Sequence, residues 1–172
     1  MMERRASTEL RAKGRRLEGY AALYGIDTRI SDFTEVIVPG AFTETLRDGR
    51  DILALVDHDA KHVLARTRSG TLRLSEDSRG LAFDLDLPDT SYSRDILALA
   101  ERGDVGGMSF AFTVPDKGER WQEDRRELRS ITLHEISVVS AWPAYPGTIV
   151  QARRRPAAFG KLVAVRRFLE SC

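Results

Sequence analysis

A strand of alternating large and small residues is the first place in this sequence where a side chain could do chemistry. Residues 105–114 read Val-Gly-Gly-Met-Ser-Phe-Ala-Phe-Thr-Val. Successive side chains of a strand point to opposite faces. One face then carries Met108, Phe110, Phe112 and Val114. The other, called here the small-residue face, carries Gly107, Ser109, Ala111 and Thr113. Ser109 is therefore a candidate nucleophile beside a surface on which a peptide could lie, with Gly107, Ala111 and Thr113 as substrate-binding positions. An ordinary small serine on a crowded sheet face is the alternative.

A serine nucleophile needs a base within hydrogen-bond reach and a third group that orients the base. The sequence has three histidines. His58 follows the apolar run 52–56, which predicts a buried strand and a short turn that holds the imidazole rigidly. His62 comes later in the same turn beside Lys61, where exposure is expected, and it is the alternative base.

The third group is sought in a long predicted strand over residues 126–140, where His134 and Glu135 are neighbours and should face opposite ways. Glu135 shares a mostly apolar face with Leu133, Ser137 and Val139. A carboxylate there is costly unless a partner satisfies it, and a histidine ring N–H would do so. We therefore prefer Glu135 as the orienting group and keep His134 as the alternative third member.

A metal site and an α/β-hydrolase site are the other chemistries considered. Asp57-His58-Asp59-Ala60-Lys61-His62, with His134, has zinc-ligand residue types. The segment lacks helical periodicity and the His-Glu-x-x-His pattern, so no metal is predicted. The near-match Gly107-Met-Ser-Phe-Ala111 to a nucleophile elbow fails because the strand pattern continues past the serine.

Bulk composition bounds the class of protein. The chain has 172 residues, 42% of them hydrophobic and 31% charged, as in a soluble globular domain. The net charge of +1 gives no global field for nucleic acid or acidic membranes. The single cysteine, Cys172, excludes an intrachain disulfide and suits a reducing cytoplasm. No cofactor, nucleic acid or membrane is expected.

The order of predicted elements favours a mainly β (α+β) fold. About seven strands occur, mostly as sequential pairs, with two or three helices between them, so we predict an antiparallel β-barrel with peripheral helices. Residues 1–16 carry six Arg or Lys and are expected to be a solvated basic arm. Residues 17–150 form the main domain, and 151–172 form a basic tail, helical or removed by processing.

Several segments together resemble the prohead maturation proteases of tailed phages, which are similar in fold to the herpesvirus capsid protease, assemblin. They occur in family order over roughly residues 15–150, which makes the match specific. The segments are Leu17-Glu-Gly-Tyr-Ala-Ala-Leu-Tyr-Gly25, Val38-Pro-Gly-Ala-Phe42, Leu55-Val-Asp-His-Asp59, Gly80-Leu-Ala-Phe with Leu87-Pro-Asp-Thr90, Gly103-Asp-Val-Gly-Gly-Met-Ser-Phe-Ala-Phe112, and Leu133-His-Glu-Ile-Ser-Val-Val139 with Pro143-Ala-Tyr-Pro146.

The resemblance implies a serine endopeptidase with Ser109 as nucleophile and His58 as base. Assemblin uses a second His as third member, and Glu135 occupies that slot here. Assemblin's oxyanion arginines have no counterpart in the matching region, so backbone N–H groups near residues 144–148 are the hypothesis.

The resemblance also implies a setting: cleavage of the scaffolding segment of the major capsid protein, and of the chain itself, inside a procapsid in the host cytoplasm, by a homodimer. The rival is a non-catalytic β-domain that binds capsid or scaffold, and a zinc hydrolase is the further alternative.

Overall fold

The computed structural model of the chain describes residues 2–7 and 10–140. Along these residues the chain forms thirteen strands and two helices. The strands are β1 (Glu3–Ser7), β2 (Leu10–Lys13), β3 (Arg16–Leu23), β4 (Thr28–Ile30), β5 (Phe33–Ile37), β6 (Leu53–Val56), β7 (Asp59–Arg66), β8 (Leu72–Glu76), β9 (Gly80–Asp86), β10 (Gly107–Thr113), β11 (Glu119–Gln122), β12 (Arg125–Leu128) and β13 (Thr132–Val139). The helices are α1 (Thr43–Arg47) and α2 (Ser91–Arg102).

The described strands form three sheets, and none of them closes into a barrel. Their orders are β1-β10-β13-β6-β7, β11-β12-β5-β4 and β2-β3-β9-β8. The fold is mainly β, as predicted, but the closed barrel of about seven antiparallel strands is not observed. Two pairs are parallel, β13 with β6 and β12 with β5. Short polar strands such as β4 and β11 carry too little alternation to be recognised from sequence.

The strand predicted over residues 126–140 is in fact two strands in different sheets. β12 ends at Leu128 and β13 begins at Thr132, and the three residues between them carry the chain from one sheet to the next. The polar stretch 116–124 contains the short strand β11. Strands β8 and β9 pair antiparallel as a hairpin, joined by the turn residues 77–79.

Helix α2 begins and ends where its capping residues predict. The Thr90 side chain accepts a hydrogen bond from the Ser93 N–H at its start. Gly103 follows its last turn with φ of 76°, the left-handed conformation that favours glycine. No helix within residues 2–7 and 10–140 has the length and apolarity needed to cross a bilayer.

The basic segment predicted to be a solvated arm contributes two strands instead. β1 pairs with β10, and β2 pairs with β3. Glu3 is buried at 5% exposure, because Arg126 meets its carboxylate with two hydrogen bonds. Two cations of the segment also pair with distant carboxylates, Arg5 with Glu35 and Arg16 with Asp84, and sequence position reveals neither pair. The predicted tail at 151–172 lies outside the described residues.

Strand β10 has the predicted apolar face and packs it into the core. Met108, Phe110 and Phe112 are at most 1% exposed. The Phe110 ring centroid lies 5.8 Å from that of Phe42 and 5.3 Å from that of Phe112, so aromatic packing holds the core-facing side of β10 in place. Ser109 consequently faces away from this core.

Candidate active site

His58 lies in a two-residue turn between β6 and β7. Asp57 and His58 have φ of 49° and 62°, so both central residues are left-handed. Positive φ at both positions is the pattern of type I′ hairpin turns, which normally take Asn-Gly or Gly-Gly. A histidine in this conformation costs about 1–3 kcal/mol, and such strain persists where the surroundings over-determine it. The turn therefore marks a candidate functional position.

Two sets of contacts to β13 hold this turn. Asp57 N–H donates to the Val138 carbonyl at 2.9 Å, and Ser140 N–H donates to Asp57 Oδ1 at 2.9 Å. The Ser140 hydroxyl also bonds Asp57 Oδ2. His58 N–H donates to Ser137 Oγ at 3.2 Å. Both strained residues are thereby anchored to the strand that carries Glu135.

Glu135 meets the His58 ring. His58 Nδ1 and Glu135 Oε1 are 2.5 Å apart, and the two side chains are only 15% and 10% exposed. When Nδ1 carries the proton and donates to the carboxylate, Nε2 is left as a free acceptor. The pair can then take a proton at Nε2, with Glu135 stabilising the resulting imidazolium. The second carboxylate oxygen, Oε2, accepts from Ser137 Oγ at 2.5 Å.

Ser109 lies directly across the sheet from this cluster. The register of β10 and β13 pairs Ser109 with Ser137 and Ala111 with Glu135. Opposed residues share a face, with Cα atoms about 4.5–5.5 Å apart. Ser109 is 5% exposed, and within the described part of the chain its hydroxyl makes no hydrogen bond, to the His58 ring or to any other group. The register therefore places the Ser109 side chain on the sheet face that carries Glu135.

His62, the alternative base, lies away from Glu135. Its Nδ1 contacts Asp59 Oδ2 at 3.1 Å, its side chain is 45% exposed, and its ring lies 5.1 Å from that of Tyr92. The exposure is as expected, but His62 lies in strand β7 and not in the turn that carries His58. Across residues 2–7 and 10–140, no cluster of three or more His, Cys, Asp or Glu side chains has a metal-binding arrangement.

His134, the alternative third member, bonds the small-residue face rather than His58. Its Nε2 lies 3.0 Å from Thr113 Oγ1. A register shift between Ala111 and Phe112 makes His134 the extra residue of β13, so alternation alone misplaces it. Burial, and then the positive charge of Arg50, lower the pKa of the His134 imidazole below its ordinary value, although Glu135 acts in the opposite sense.

Less of the small-residue face is accessible to a substrate than the sequence suggests. Gly107 and Ala111 are buried, and Thr113 is engaged by His134. β10 also has a neighbour on each side, β1 and β13. β10 therefore has no free edge to which a substrate strand could add while β1 is in place. The hypothetical oxyanion donors at 144–148 lie outside the described residues.

Sequence reasoning missed Ser137 as a member of the site. It lies two residues after Glu135 and is fully buried. The predicted apolar face with Leu133 is wrong, because the register shift pairs Leu133 with Phe112 on the core side and leaves Glu135 and Ser137 facing the small residues of β10. A hydroxyl at i+2 from a buried carboxylate was the available signal. Its second contact, to His58 N–H, depends on a turn geometry that no local pattern encodes.

Comparison with known proteins places this arrangement in context. A family model described as caudovirus prohead serine protease matches residues 2–161. Among solved structures, the fold is similar to the capsid assembly protease of bacteriophage T4, with a TM-score of 0.57 and 8% identity, over 83% of this chain and 97% of that one. No curated protein matches the chain. At 8% identity the structural likeness speaks for the fold alone, whereas the family match spans most of the sequence and confirms the resemblance inferred from its motifs.

Proposed function

Since this chain belongs to the caudovirus prohead serine protease family, we propose that it cleaves the scaffolding segment of its major capsid protein, and itself, with a Ser109–His58–Glu135 triad. The observation that carries the proposal is the 2.5 Å contact of His58 Nδ1 with Glu135 Oε1, on the sheet face where Ser109 is paired with Ser137, two residues along β13 from Glu135. The cleavage takes place inside the procapsid in the host cytoplasm, and the chain acts as a homodimer.

The first chemical step is attack of Ser109 Oγ on the scissile carbonyl carbon. His58 Nε2 takes the hydroxyl proton as the Oγ–C bond forms, and Glu135 holds the ring and stabilises its charged form. Proton transfer by a positioned base contributes about 10²–10⁴-fold to the rate.

The second step releases the amine and regenerates the serine. His58 gives its proton to the leaving nitrogen as the C–N bond breaks, which leaves an ester between Ser109 and the substrate acyl group. Water then loses a proton to His58 Nε2 and attacks the ester carbonyl, and the same proton returns to Ser109 Oγ. The strained turn contributes by keeping the ring at one position through both transfers.

Co-expression of the chain with its own capsid protein tests this function. We expect truncation of the capsid protein and of the chain, abolished by Ser109→Ala with unchanged circular dichroism and thermal unfolding. Ser78→Ala, in an exposed turn, is the matched control and should cleave normally.

The outcomes separate the alternatives. Undiminished cleavage by Ser109→Ala would remove Ser109 as nucleophile, and loss of cleavage on chelation would favour the zinc hydrolase. Normal shell assembly that needs the chain but shows no truncation would favour the non-catalytic assembly domain.

A further inference from the structure

Among residues 2–7 and 10–140, Ser137 is the one side chain that forms hydrogen bonds with both His58 and Glu135. It is 0% exposed, lies on β13 opposite Ser109, and bonds Glu135 Oε2 and the His58 N–H. An ionised carboxylate only accepts and a backbone N–H only donates, so the hydroxyl must donate to Glu135 and accept from His58. Its single proton and one lone pair are thus fully assigned.

These contacts close a ring of hydrogen bonds around the site. Starting at the His58 backbone, the ring passes through Ser137 Oγ to Glu135 Oε2, and returns from Oε1 to His58 Nδ1. The carboxylate cannot rotate without breaking a bond to Ser137, and the turn cannot relax without breaking another. Ser137 therefore fixes the distance between two groups that sit on different strands.

On the basis of the proposed function, we propose that Ser137 is a positioning residue of the protease: it holds Glu135 and the strained His58 turn in register for proton transfer without touching the substrate. The purely structural alternative is a buried serine whose hydrogen bonds contribute to stability alone. If Ser137 is a positioning residue, removal of its hydroxyl lowers turnover per folded molecule. If its role is purely structural, removal lowers only the amount of folded protein.

Steady-state kinetics of Ser137→Ala, with a peptide that spans the mapped cut site, distinguishes the two. We expect kcat to fall about 10- to 100-fold, as for small misplacements of catalytic groups, with KM within about twofold. Thr45→Val is the matched control. Its buried hydroxyl also bonds β13, accepting from Leu133 N–H at 2.9 Å, but lies outside the ring. It should lower stability and leave kcat per folded molecule unchanged.

A proton NMR measurement makes the test independent of cleavage. In the Ser109→Ala background, the short bond from His58 Nδ1 should give a far-downfield resonance, which Ser137→Ala removes or moves upfield. If Ser137→Ala fails to fold, Ser137→Cys keeps the bulk with a weaker donor and should show an intermediate loss of kcat.

Wild-type kcat together with an intact resonance, in either Ser137 variant, would overturn the proposal. Failure of the proposed function has a different signature, namely cleavage that survives Ser109→Ala. The resonance of the His58 Nδ1 proton reports on the role of Ser137 whether or not Ser109 is the nucleophile.

Discussion

Two buried groups of ionisable side chains flank strand β10, and they are built in opposite ways. The first, called here the Arg126 cluster, consists of Glu3, Arg5, Glu35, Glu119 and Arg126. Arg126 has a side-chain exposure of 3% and contacts three carboxylates within 2.5–2.8 Å. Arg5 binds two of the same carboxylates, at 2.5 Å and 3.1 Å. Each charge in this cluster is met by a permanent opposite charge.

Titration behaviour follows from that pairing. Burial alone would raise the pKa of the Glu3 carboxyl, but the hydrogen bond and charge of Arg126, followed by those of Arg5, hold it below its ordinary value. A lowered folded-state pKa stabilises the fold above the unfolded pKa, and that stability is lost as pH falls through the folded value. The Glu3 carboxyl therefore stays ionised around neutral pH.

The second group consists of His58, Glu135 and Ser137. Its buried carboxylate has no arginine among its hydrogen-bond partners in the described part of the chain. Glu135 faces a ring that can gain or lose a proton and a neutral hydroxyl. A carboxylate that is already neutralised by a guanidinium has little to offer a forming imidazolium, whereas this one does. The difference teaches that one protein can bury charge in two ways: permanent ion pairs join β1 to the sheet of β5, β11 and β12, whereas the carboxylate on β13 faces a group that can accept a proton.

Replacement of Glu135 by Gln should produce the largest effect. The amide N–H₂ can donate to Nδ1, which favours the tautomer with its proton on Nε2, and this tautomer cannot accept from Ser109. We expect kcat to fall by about 10³–10⁴-fold, the size found for such a change in a serine protease triad. Peptide cleavage and urea unfolding, measured on the same preparation, provide the check.

Glu35→Gln is the matched control, since Glu35 is equally buried but belongs to the Arg126 cluster. It should lower stability by about 1–3 kcal/mol and keep kcat per folded molecule. An equal reduction of kcat by Glu35→Gln and Glu135→Gln would contradict the distinction between the two groups, because both would then serve the same role.

Sequence alone could predict those parts of the site that depend on local alternation. The partnership of His58 with Glu135 was expected because a carboxylate on an apolar strand face needs a partner, and the structure brings the two together. His134 was expected on the opposite side from Glu135. A bulge, which inserts one residue into β13, defeats that inference because alternation assumes an unbroken ladder.

The unpredicted parts depend on contacts between distant segments. Glu3 and Arg126 are 123 residues apart, so their charges look like solvated surface until β1 is paired with β10. The barrel prediction failed for the same reason, since parallel pairing of β13 with β6 is not encoded by hairpin signals.

Removal of the central cation of the Arg126 cluster should produce the next largest effect, on stability. Arg126→Met keeps an unbranched side chain but leaves three carboxylates without their shared partner. We expect the free energy of unfolding to fall by about 3–5 kcal/mol, as for other buried pairs that lose one member. Urea denaturation measures this loss.

Arg129→Met is the control for that prediction. Arg129 pairs with Glu127 at 2.7 Å, but its side chain is 47% exposed, so the loss should stay below about 1 kcal/mol. Equal losses for the two variants would mean that the Arg126 cluster is no more than a surface ion pair in energetic terms.

The smallest predicted effect concerns the strain at His58. His58→Gly and His58→Ala both lose the ring and its contact with Glu135, so the two variants differ mainly in backbone preference. Left-handed φ costs alanine about 1–2 kcal/mol but costs glycine little. We expect the Gly variant to be more stable than the Ala variant by about 1 kcal/mol in urea unfolding, with both inactive.

The same two substitutions at Lys61 should give the opposite order of stability, with alanine more stable than glycine. Lys61 is an exposed residue of β7 outside the positive-φ set, where glycine should be less stable than alanine by about 0.5–1 kcal/mol. If the turn is strained, the difference in unfolding free energy between the Gly and Ala variants should have opposite signs at positions 58 and 61. An alanine variant at 58 as stable as the glycine variant would mean that the turn relaxes to negative φ, and the contacts to β13 would then not over-determine the position of the imidazole.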